Sequence, residues 1–287
     1  MINPDELALR KLDKSDLKTL VDWAREEGWN PGEHDYEAFW QTDPDGYYGF
    51  FLEGRLIAGG AVVAYGRVFG FMGLFIVHPD FRGQGIGNRL WYMRSDLLLK
   101  RLNPGASIGM DGVVAMQPFY EKGGFKIAFR DERYECIGQE LVISPWISSP
   151  KEADFESLAQ YDRACFGFDR GAFLAHWLRL PESRCFQFSE HDELKGYAVL
   201  RKVNVGYKIG PLFADTDEVA EALYQACLNS AIGEQVYLDI PVVNAGAVAL
   251  VKRYKARYVF ECARMYHGEA PNYALDKVYG ITTFELG

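Results

Sequence analysis

A glycine-rich stretch, Arg82-Gly83-Gln84-Gly85-Ile86-Gly87, follows an apolar run and precedes a segment with a helical pattern. The apolar run, Phe69 to Val77, predicts a buried strand. A helix start leaves several backbone N–H groups without intrahelical partners, and the helix dipole favours an anion there. Glycines allow φ > 0 and let a phosphate approach the backbone, while Arg82 adds a positive charge. The stretch therefore predicts an anion-binding loop for a phosphate group.

Two common phosphate loops do not fit this stretch. The P-loop ends in Gly-Lys-Ser/Thr, whereas Gly87 is followed by Asn88 and Arg89. The dinucleotide fingerprint is G-x-G-x-x-G, and here the order is G-x-G-x-G. Arg82, Gly85 and Gly87 do match Arg/Gln-x-x-Gly-x-Gly/Ala, so the stretch resembles the pyrophosphate loop of the GNAT superfamily of acyl-CoA N-acyltransferases. The alternative is a glycine-rich turn that only starts a helix.

The elements around the loop strengthen this resemblance. The sequence predicts a short strand, two helices, three strands ending at Val77, the helix from Gly85, a strand from Ser107 to Met110, a short helix at Tyr120, and strands near Lys126 to Arg130 and Tyr134 to Gly138. This order, with the loop and the Phe-Tyr-x-x-x-Gly-Phe segment that ends at Phe125, resembles a complete GNAT domain over residues 1–140. The resemblance implies an α/β (α+β) fold with a mixed, mainly antiparallel sheet flanked by helices.

The second half, residues 141–287, repeats the order in weaker form, which predicts two tandem GNAT-like domains joined between Ile137 and Pro150. Where the glycine loop belongs, it has Phe213-Ala214-Asp215-Thr216-Asp217-Glu218-Val219. Carboxylates cap a helix well but repel a pyrophosphate. We therefore expect one CoA site, in the first domain, with the second domain as its wall or lid.

The resemblance implies acetyl-CoA as co-substrate. It assigns the cofactor contacts to Ile76, Val77, Arg82, Gly83, Gln84, Gly85, Ile86 and Gly87, with a backbone N–H near Ile76 or Val77 polarising the thioester. Tyr120 matches the family tyrosine that protonates the departing thiolate; the alternative is an ordinary core tyrosine. An asparagine common in the family seven positions earlier is replaced by Val113.

The general base and the acceptor site are less well defined by the sequence. Candidates for the base are Asp111, Asp35, Glu33 and His34, each of which could instead be a solvated or capping residue, and a water could serve. Other candidates follow: Trp29 and Asn30 overhang the acceptor channel in this fold, Asp239 and Asn244 could line a pocket between the domains, Asn244 could instead cap the next helix, and His78 lies beside the loop.

Composition limits the partners. The formal net charge of −9 argues against nucleic acid, and no run approaches the length needed to span a membrane. Five scattered cysteines and five histidines show no metal-binding spacing, so we expect no metal. The N-terminus lacks signal-peptide features, which favours a cytoplasmic protein. The oligomeric state is left open.

These patterns favour an N-acetyltransferase that acts on a primary amine of a small molecule. A CoA-binding sensor without turnover is the alternative, since Val113, the undefined base and the degenerate second half leave catalysis unproven. An O-acyltransferase, or a donor with a longer acyl group, is a third hypothesis.

Overall fold

A computed structural model describes residues 3–287; Met1 and Ile2, the first residues of the predicted N-terminal domain, lie outside the described residues. The first half contains β1 (Leu9–Lys11), α1 (Lys14–Glu26), α2 (Asp35–Thr42), β2 (Tyr47–Leu52), β3 (Arg55–Tyr65), β4 (Phe69–Val77), α3 (Ile86–Arg101), β5 (Ser107–Val113), α4 (Gln117–Lys122) and β6 (Lys126–Ile137). The second half contains β7 (Ile147–Ser148), α5 (Phe155–Phe166), α6 (Gly171–Trp177), β8 (Arg184–Glu190), β9 (Glu193–Lys202), β10 (Tyr207–Ala214), α7 (Asp217–Asn229), β11 (Gln235–Pro241), α8 (Ala245–Arg253), β12 (Arg257–His267) and β13 (Val278–Gly280).

The two halves share one order of elements. Each has a strand, two helices, three antiparallel strands, a helix, a strand, a helix and a final strand, and β13 is an addition to the second half. The α/β fold class and the tandem architecture expected from the sequence are confirmed.

The strands form one continuous sheet in which the halves exchange their last strands. The order is β1-β2-β3-β4-β5-β12-β6-β11-β10-β9-β8-β7. Thus β12 of the second half pairs with β5, and β6 of the first half pairs with β11. The strand expected to close the first unit is therefore separated from β5 by β12. The division of the chain at residue 140 stays a prediction, but the sheet itself does not divide there.

One expectation about β6 was wrong. Two short strands were expected around a break near Asp131 to Arg133, and the structure has a single strand over Lys126–Ile137. In the middle of this strand Asp131 and Arg133 are buried and Glu132 is half-buried, because β6 lies between two neighbouring strands at the centre of the sheet.

Strand β4 has a bulge and then diverges from β5. Its register against β3 jumps between Gly59 and Ala61, so that Gly60 faces both Leu74 and Phe75, and Leu74 has a φ of 47°. Pairing between β4 and β5 covers only Phe69 to Phe71 on β4. Beyond that point the two strands leave a gap that opens toward the glycine loop.

The halves also share a hydrophobic core. One buried cluster combines Leu17 and Leu20 of α1 with Trp177 of α6, Phe213 of β10 and Leu286. In residues 3–287, no helix has both the length and the apolar character to cross a membrane.

Candidate active site

A cavity of about 570 Å³ lies at the gap between β4 and β5. Both halves of the chain contribute to its wall: β4, the glycine loop, α3 and α4 from the first half, and β12 and the segment 284–285 from the second. Among the predicted site residues, the cavity is lined by Trp29, Ile76, Val77, Arg82, Gly83, Gly85, Gly87, Asp111 and Tyr120. The structure thus brings most of the predicted cofactor residues to one place.

The glycine loop has the backbone conformation that its sequence predicts. Gly83 has a φ of 75°, and Gly85, which caps the start of α3, has a φ of 80°. No atom lies within 4 Å of the position that a Cβ at Gly83 would take. Gly87 differs from the expectation: it lies in the first turn of α3, and a Cβ there would meet Val77 Cγ2 at 3.3 Å. Its small size keeps the loop open against β4.

The other loop residues divide between cavity and core. Arg82 is half exposed, donates from Nε to the Val77 carbonyl at 2.8 Å and pairs with Glu27. The side chain of Ile86 is buried with Leu7 and Leu90, so only its backbone can face an anion at the loop. Gln84 is half-buried and is not among the lining residues.

The pairing of β3 with β4 distinguishes Ile76 from Val77. The His78 N–H donates to the Ile57 carbonyl, and Ile76 lies opposite Gly59, so the hydrogen-bonded groups of Ile76 face β3. The backbone N–H and carbonyl of the next residue, Val77, face away from β3. In agreement, the Val77 carbonyl accepts a hydrogen bond from Arg82. Val77 therefore directs its backbone into the gap. The bulge lies at Leu74 and Phe75, before both residues.

Tyr120 lies on α4 and is 5% exposed at the cavity wall. Its ring packs against Trp91, with centroids 4.8 Å apart. Burial raises the pKa of its phenol to about 12, and nearby Arg94 opposes that shift. The phenol is therefore protonated at neutral pH and can donate a proton.

Asp111 lines the cavity but is held by a bidentate ion pair. Arg264 Nε and Nη2 donate to its two oxygens at 2.7 and 2.9 Å. Burial raises its pKa, and Arg264 opposes the shift. A carboxylate with both oxygens bonded to a guanidinium is a poor general base.

The remaining acceptor candidates lie away from the cavity, except Trp29. Asn30 bonds the backbone N–H and carbonyl of Val205, which ties the first half to the second. Asp35 accepts from Arg201 at 3.0 and 3.2 Å, and Asp239 accepts from Arg133 at 2.6 and 2.7 Å. Asn244 caps α8 by accepting from two backbone N–H groups. These four residues hold the fold together.

The other base candidates also lie elsewhere. Glu33 and His34 line a separate cavity of about 270 Å³ together with Asp35. His78 contacts Arg55 and the backbone of Asp80 beside the loop. Glu33, His34 and His78 are therefore not among the residues that line the cavity with Tyr120.

Sequence comparisons decide the family. The model of the acetyltransferase (GNAT) family matches residues 14–125, and the model of an acetyltransferase (GNAT) domain matches residues 158–280. The chain belongs to the GNAT superfamily, with one GNAT domain in each half. It is therefore a tandem GNAT protein of the acyl-CoA-dependent N-acetyltransferase class.

Individual relatives of this tandem GNAT protein cover nearly its whole length. Holothin acyltransferase from Pseudoalteromonas sp. (strain SANK 73390) is 28% identical over 268 residues, which are 93% of this chain and 90% of that protein. A candidate acetyltransferase from Pyrococcus horikoshii has a TM-score of 0.84 at 22% identity and covers 100% of this chain and 98% of its own. The tandem GNAT protein from the clavulanic acid biosynthesis pathway has a TM-score of 0.65 at 13% identity over 93% of this chain and 100% of its own. The two structures show a shared fold.

Four charged residues at the cavity of this tandem GNAT protein were missed by sequence reasoning: Glu27, Arg94, Arg133 and Glu285. The position of Arg94 could have identified it. It lies four residues after Leu90 and four before Leu98, which places a charged residue on the apolar face of a predicted helix. Arg133 and Glu285 gave no such indication, because Arg133 lies on β6, which pairs with β12 of the second half, and Glu285 lies in the segment after β13.

The second half has a corresponding gap, and the chain's own β13 fills it. Strands β10 and β11 pair only over Tyr207 to Ile209 on β10, and β13 then pairs with β10 in the space between them. At the start of α7, Asp215 accepts from Lys277 and Tyr161, each at 2.9 Å. In the second half, a strand and carboxylates thus occupy the positions that correspond to the gap and the glycine loop of the first half.

Proposed function

We propose that this protein transfers the acetyl group of acetyl-CoA to a primary amine of a small molecule. The observation that carries the proposal is the convergence of the glycine loop, the β4–β5 gap and Tyr120 on one cavity. The relative named for acylating holothin supports a small-molecule acceptor.

The residues present fit a CoA molecule. Gly83 and Gly85 keep the backbone N–H groups at the start of α3 accessible to a pyrophosphate, and Arg82 adds charge at the rim. The backbone of Val77, which is directed into the gap and away from β3, supports pairing with a pantetheine arm, as an added strand would pair. When bound, CoA supplies the thioester that the amine attacks.

Tyr120 then acts as the general acid in this proposal. As the amine nitrogen bonds to the thioester carbon and the C–S bond breaks, the leaving sulfur takes the proton of the phenol. A phenol whose pKa is raised to about 12 stays protonated until that negative charge forms.

Glu285 is the carboxylate best placed to accept the proton of the amine. It is 5% exposed, lines the cavity, and packs against the β4 bulge so closely that a Cβ at Gly73 would overlap its carbonyl oxygen. Its Oε2 accepts from the Thr283 hydroxyl, whereas the other cavity carboxylates, Glu27 and Asp111, are paired with arginines.

The charged groups around Glu285 shift the pKa of its carboxyl group in opposite directions. Burial raises its pKa, Asp35 of α2 raises it further, and Lys208 of β10, Arg201 of β9 and Arg133 of β6 lower it. Because a base must be ionised, the rate is expected to fall as the pH drops through this raised pKa.

The experiment is a mass-spectrometric screen of an amine library with acetyl-CoA, followed by kinetics on the best acceptor. Tyr120→Phe is expected to lower kcat by about 100-fold or more, the usual contribution of a general acid. Glu285→Gln is expected to lower kcat at pH 7, with activity recovering as the pH approaches the pKa of the amine. The control is Tyr92→Phe, an exposed tyrosine of α3 outside the cavity, which should match wild type.

The outcomes separate the proposal from a CoA-binding protein without turnover. Acetylated product that depends on Tyr120 supports transfer. CoA binding with no product from any amine, or equal rates for Tyr120→Phe and wild type, would overturn it.

A further inference from the structure

Arg94 is a fully buried arginine at the wall of the candidate active site. It projects from α3 toward the β4 bulge, where its guanidinium lies over the Phe75 ring, 5.0 Å from the centroid. Gly60 of β3 makes the necessary room, since a Cβ there would overlap Nη1 of Arg94. Nη1 lies 3.5 Å from the Gly73 carbonyl oxygen, a long hydrogen bond.

Four other buried arginines show how this protein satisfies a guanidinium. Each binds an aspartate through the same edge, Nε and Nη2, in the pairs Arg133–Asp239, Arg170–Asp162, Arg201–Asp35 and Arg264–Asp111. In Arg94 both atoms of that edge are buried and, within residues 3–287, have no hydrogen-bond partner.

An unpaired guanidinium in an apolar wall is costly to keep. Burial lowers the pKa of Arg94 to about 9, which still leaves it charged at neutral pH. The apolar part of the cavity wall includes Met72, Trp91 and Met110, which offer a guanidinium no more than a weak thioether acceptor. A buried charge without a partner is strongly destabilising, whereas a bidentate carboxylate would satisfy it.

We propose that the Nε–Nη2 edge of Arg94 binds the carboxylate of a reactant, so that the substrate class includes a carboxylate-bearing molecule. This inference rests on the proposed acyl transfer. The same carboxylate could come from the far end of the acyl donor, as in a dicarboxylic monothioester, or from the amine acceptor, as in an amino acid.

The experiment has two arms that distinguish these sources. The donor arm compares kcat/KM for succinyl-CoA and butyryl-CoA, which have acyl chains of equal carbon number. The acceptor arm compares an amino acid with its amide, using acetyl-CoA. In one arm wild type should prefer the carboxylate, and Arg94→Met should reduce that preference about 10- to 100-fold, the value of a charge-assisted hydrogen bond.

Two further variants test the geometry. Arg94→Lys keeps the charge but loses the fork, so its preference should lie between those of wild type and Arg94→Met. Gly60→Ala should weaken the preference in the same way, because its methyl group displaces the guanidinium. Using a ratio of substrates cancels any general effect of these changes on Tyr120.

Thermal unfolding of the ligand-free protein supplies a readout apart from activity. Arg94→Met should keep or raise the Tm, since no pair is broken, whereas Arg201→Met should lower it by leaving Asp35 unpaired. Equal losses of Tm, or substrate ratios in both arms that Arg94→Met leaves unchanged, would overturn the inference. Wild type that uses none of the donors would instead overturn the proposed acyl transfer.

Discussion

At the residue scale, the acidic pair Asp111 and Asp131 shows how the centre of the sheet accommodates charge. Asp131 is fully buried on β6, and neither of its oxygens has a donor within residues 3–287. Burial, followed by the Asp111 carboxylate, raises its pKa well above the ordinary value. Asp131 therefore keeps its proton to a higher pH in the folded protein than in the unfolded chain, which ionises it near pH 4.

The first prediction follows from this difference in protonation. Between about pH 4 and the raised pKa the folded protein binds one more proton than the unfolded chain, so this group lowers stability as pH rises, by up to about 1.4 kcal/mol per pH unit. Asp131→Asn, which resembles the protonated acid, should remove that slope. Urea unfolding at pH 4.5, 6 and 7.5 should show that the free energy of unfolding of the variant increases relative to that of wild type as the pH rises.

The control for this measurement is Asp96→Asn, at an exposed position of α3. It should follow the wild-type pH dependence. A stability difference between Asp131→Asn and wild type that stays constant with pH would show that Asp131 is ionised in the folded protein.

At the level of residues, the sequence was informative where it contained a short motif. The loop from Arg82 to Gly87 and Tyr120 sit in such motifs, and the structure places most of them at one cavity. Asp35 and Asp239 look equally functional in sequence, but each is bonded to a buried arginine from a distant strand. The partner of a carboxylate cannot be inferred from the local sequence. The ion-pairing roles of Asp35 and Asp239 therefore could not be predicted.

At the scale of elements, the glycine loop is the feature that the sequence defined best. The strand, turn and helix around it have the expected order, and Gly83 and Gly85 adopt positive φ angles. The sequence predicted two short strands where the structure has the single strand β6. Only its neighbours β11 and β12, which supply the pairing groups, make a continuous strand possible there.

The prediction at this scale compares two glycines of similar backbone geometry. Gly83 and Gly66 have φ angles of 75° and 60°, and at neither glycine does any atom lie within 4 Å of the position that a Cβ would take. Alanine at either position should cost a similar stability of about 1 kcal/mol. Only Gly83→Ala should also weaken CoA binding, by about tenfold or more, because its methyl group stands in the proposed pyrophosphate cradle.

Calorimetric titration with CoA and urea unfolding of both variants check this prediction. Gly66→Ala serves as the matched control and should keep the wild-type affinity. Equal affinities for the two variants would mean that the loop does not hold the pyrophosphate.

At the scale of the whole molecule, the candidate site depends on both halves of the chain. The exchange of β6 and β12 brings Phe260 and Cys262 to the cavity, and the segment after β13 brings Phe284 and Glu285. The second half therefore completes the wall of this cavity.

This arrangement could be predicted only in part. The missing glycines after Phe213 indicated locally that the second half has no pyrophosphate loop. The filling of the second gap by β13 and the exchange of strands arise from pairing between distant segments, for which periodicity and turn signals give no information.

We propose that one acyl-CoA binds per chain, in the first half. Titration calorimetry of the 287-residue chain with CoA tests this stoichiometry most directly. We predict one equivalent in wild type and none in Gly85→Glu, whose carboxylate would stand at the start of α3. No binding by wild type, a second equivalent, or one equivalent that survives in Gly85→Glu would contradict the account.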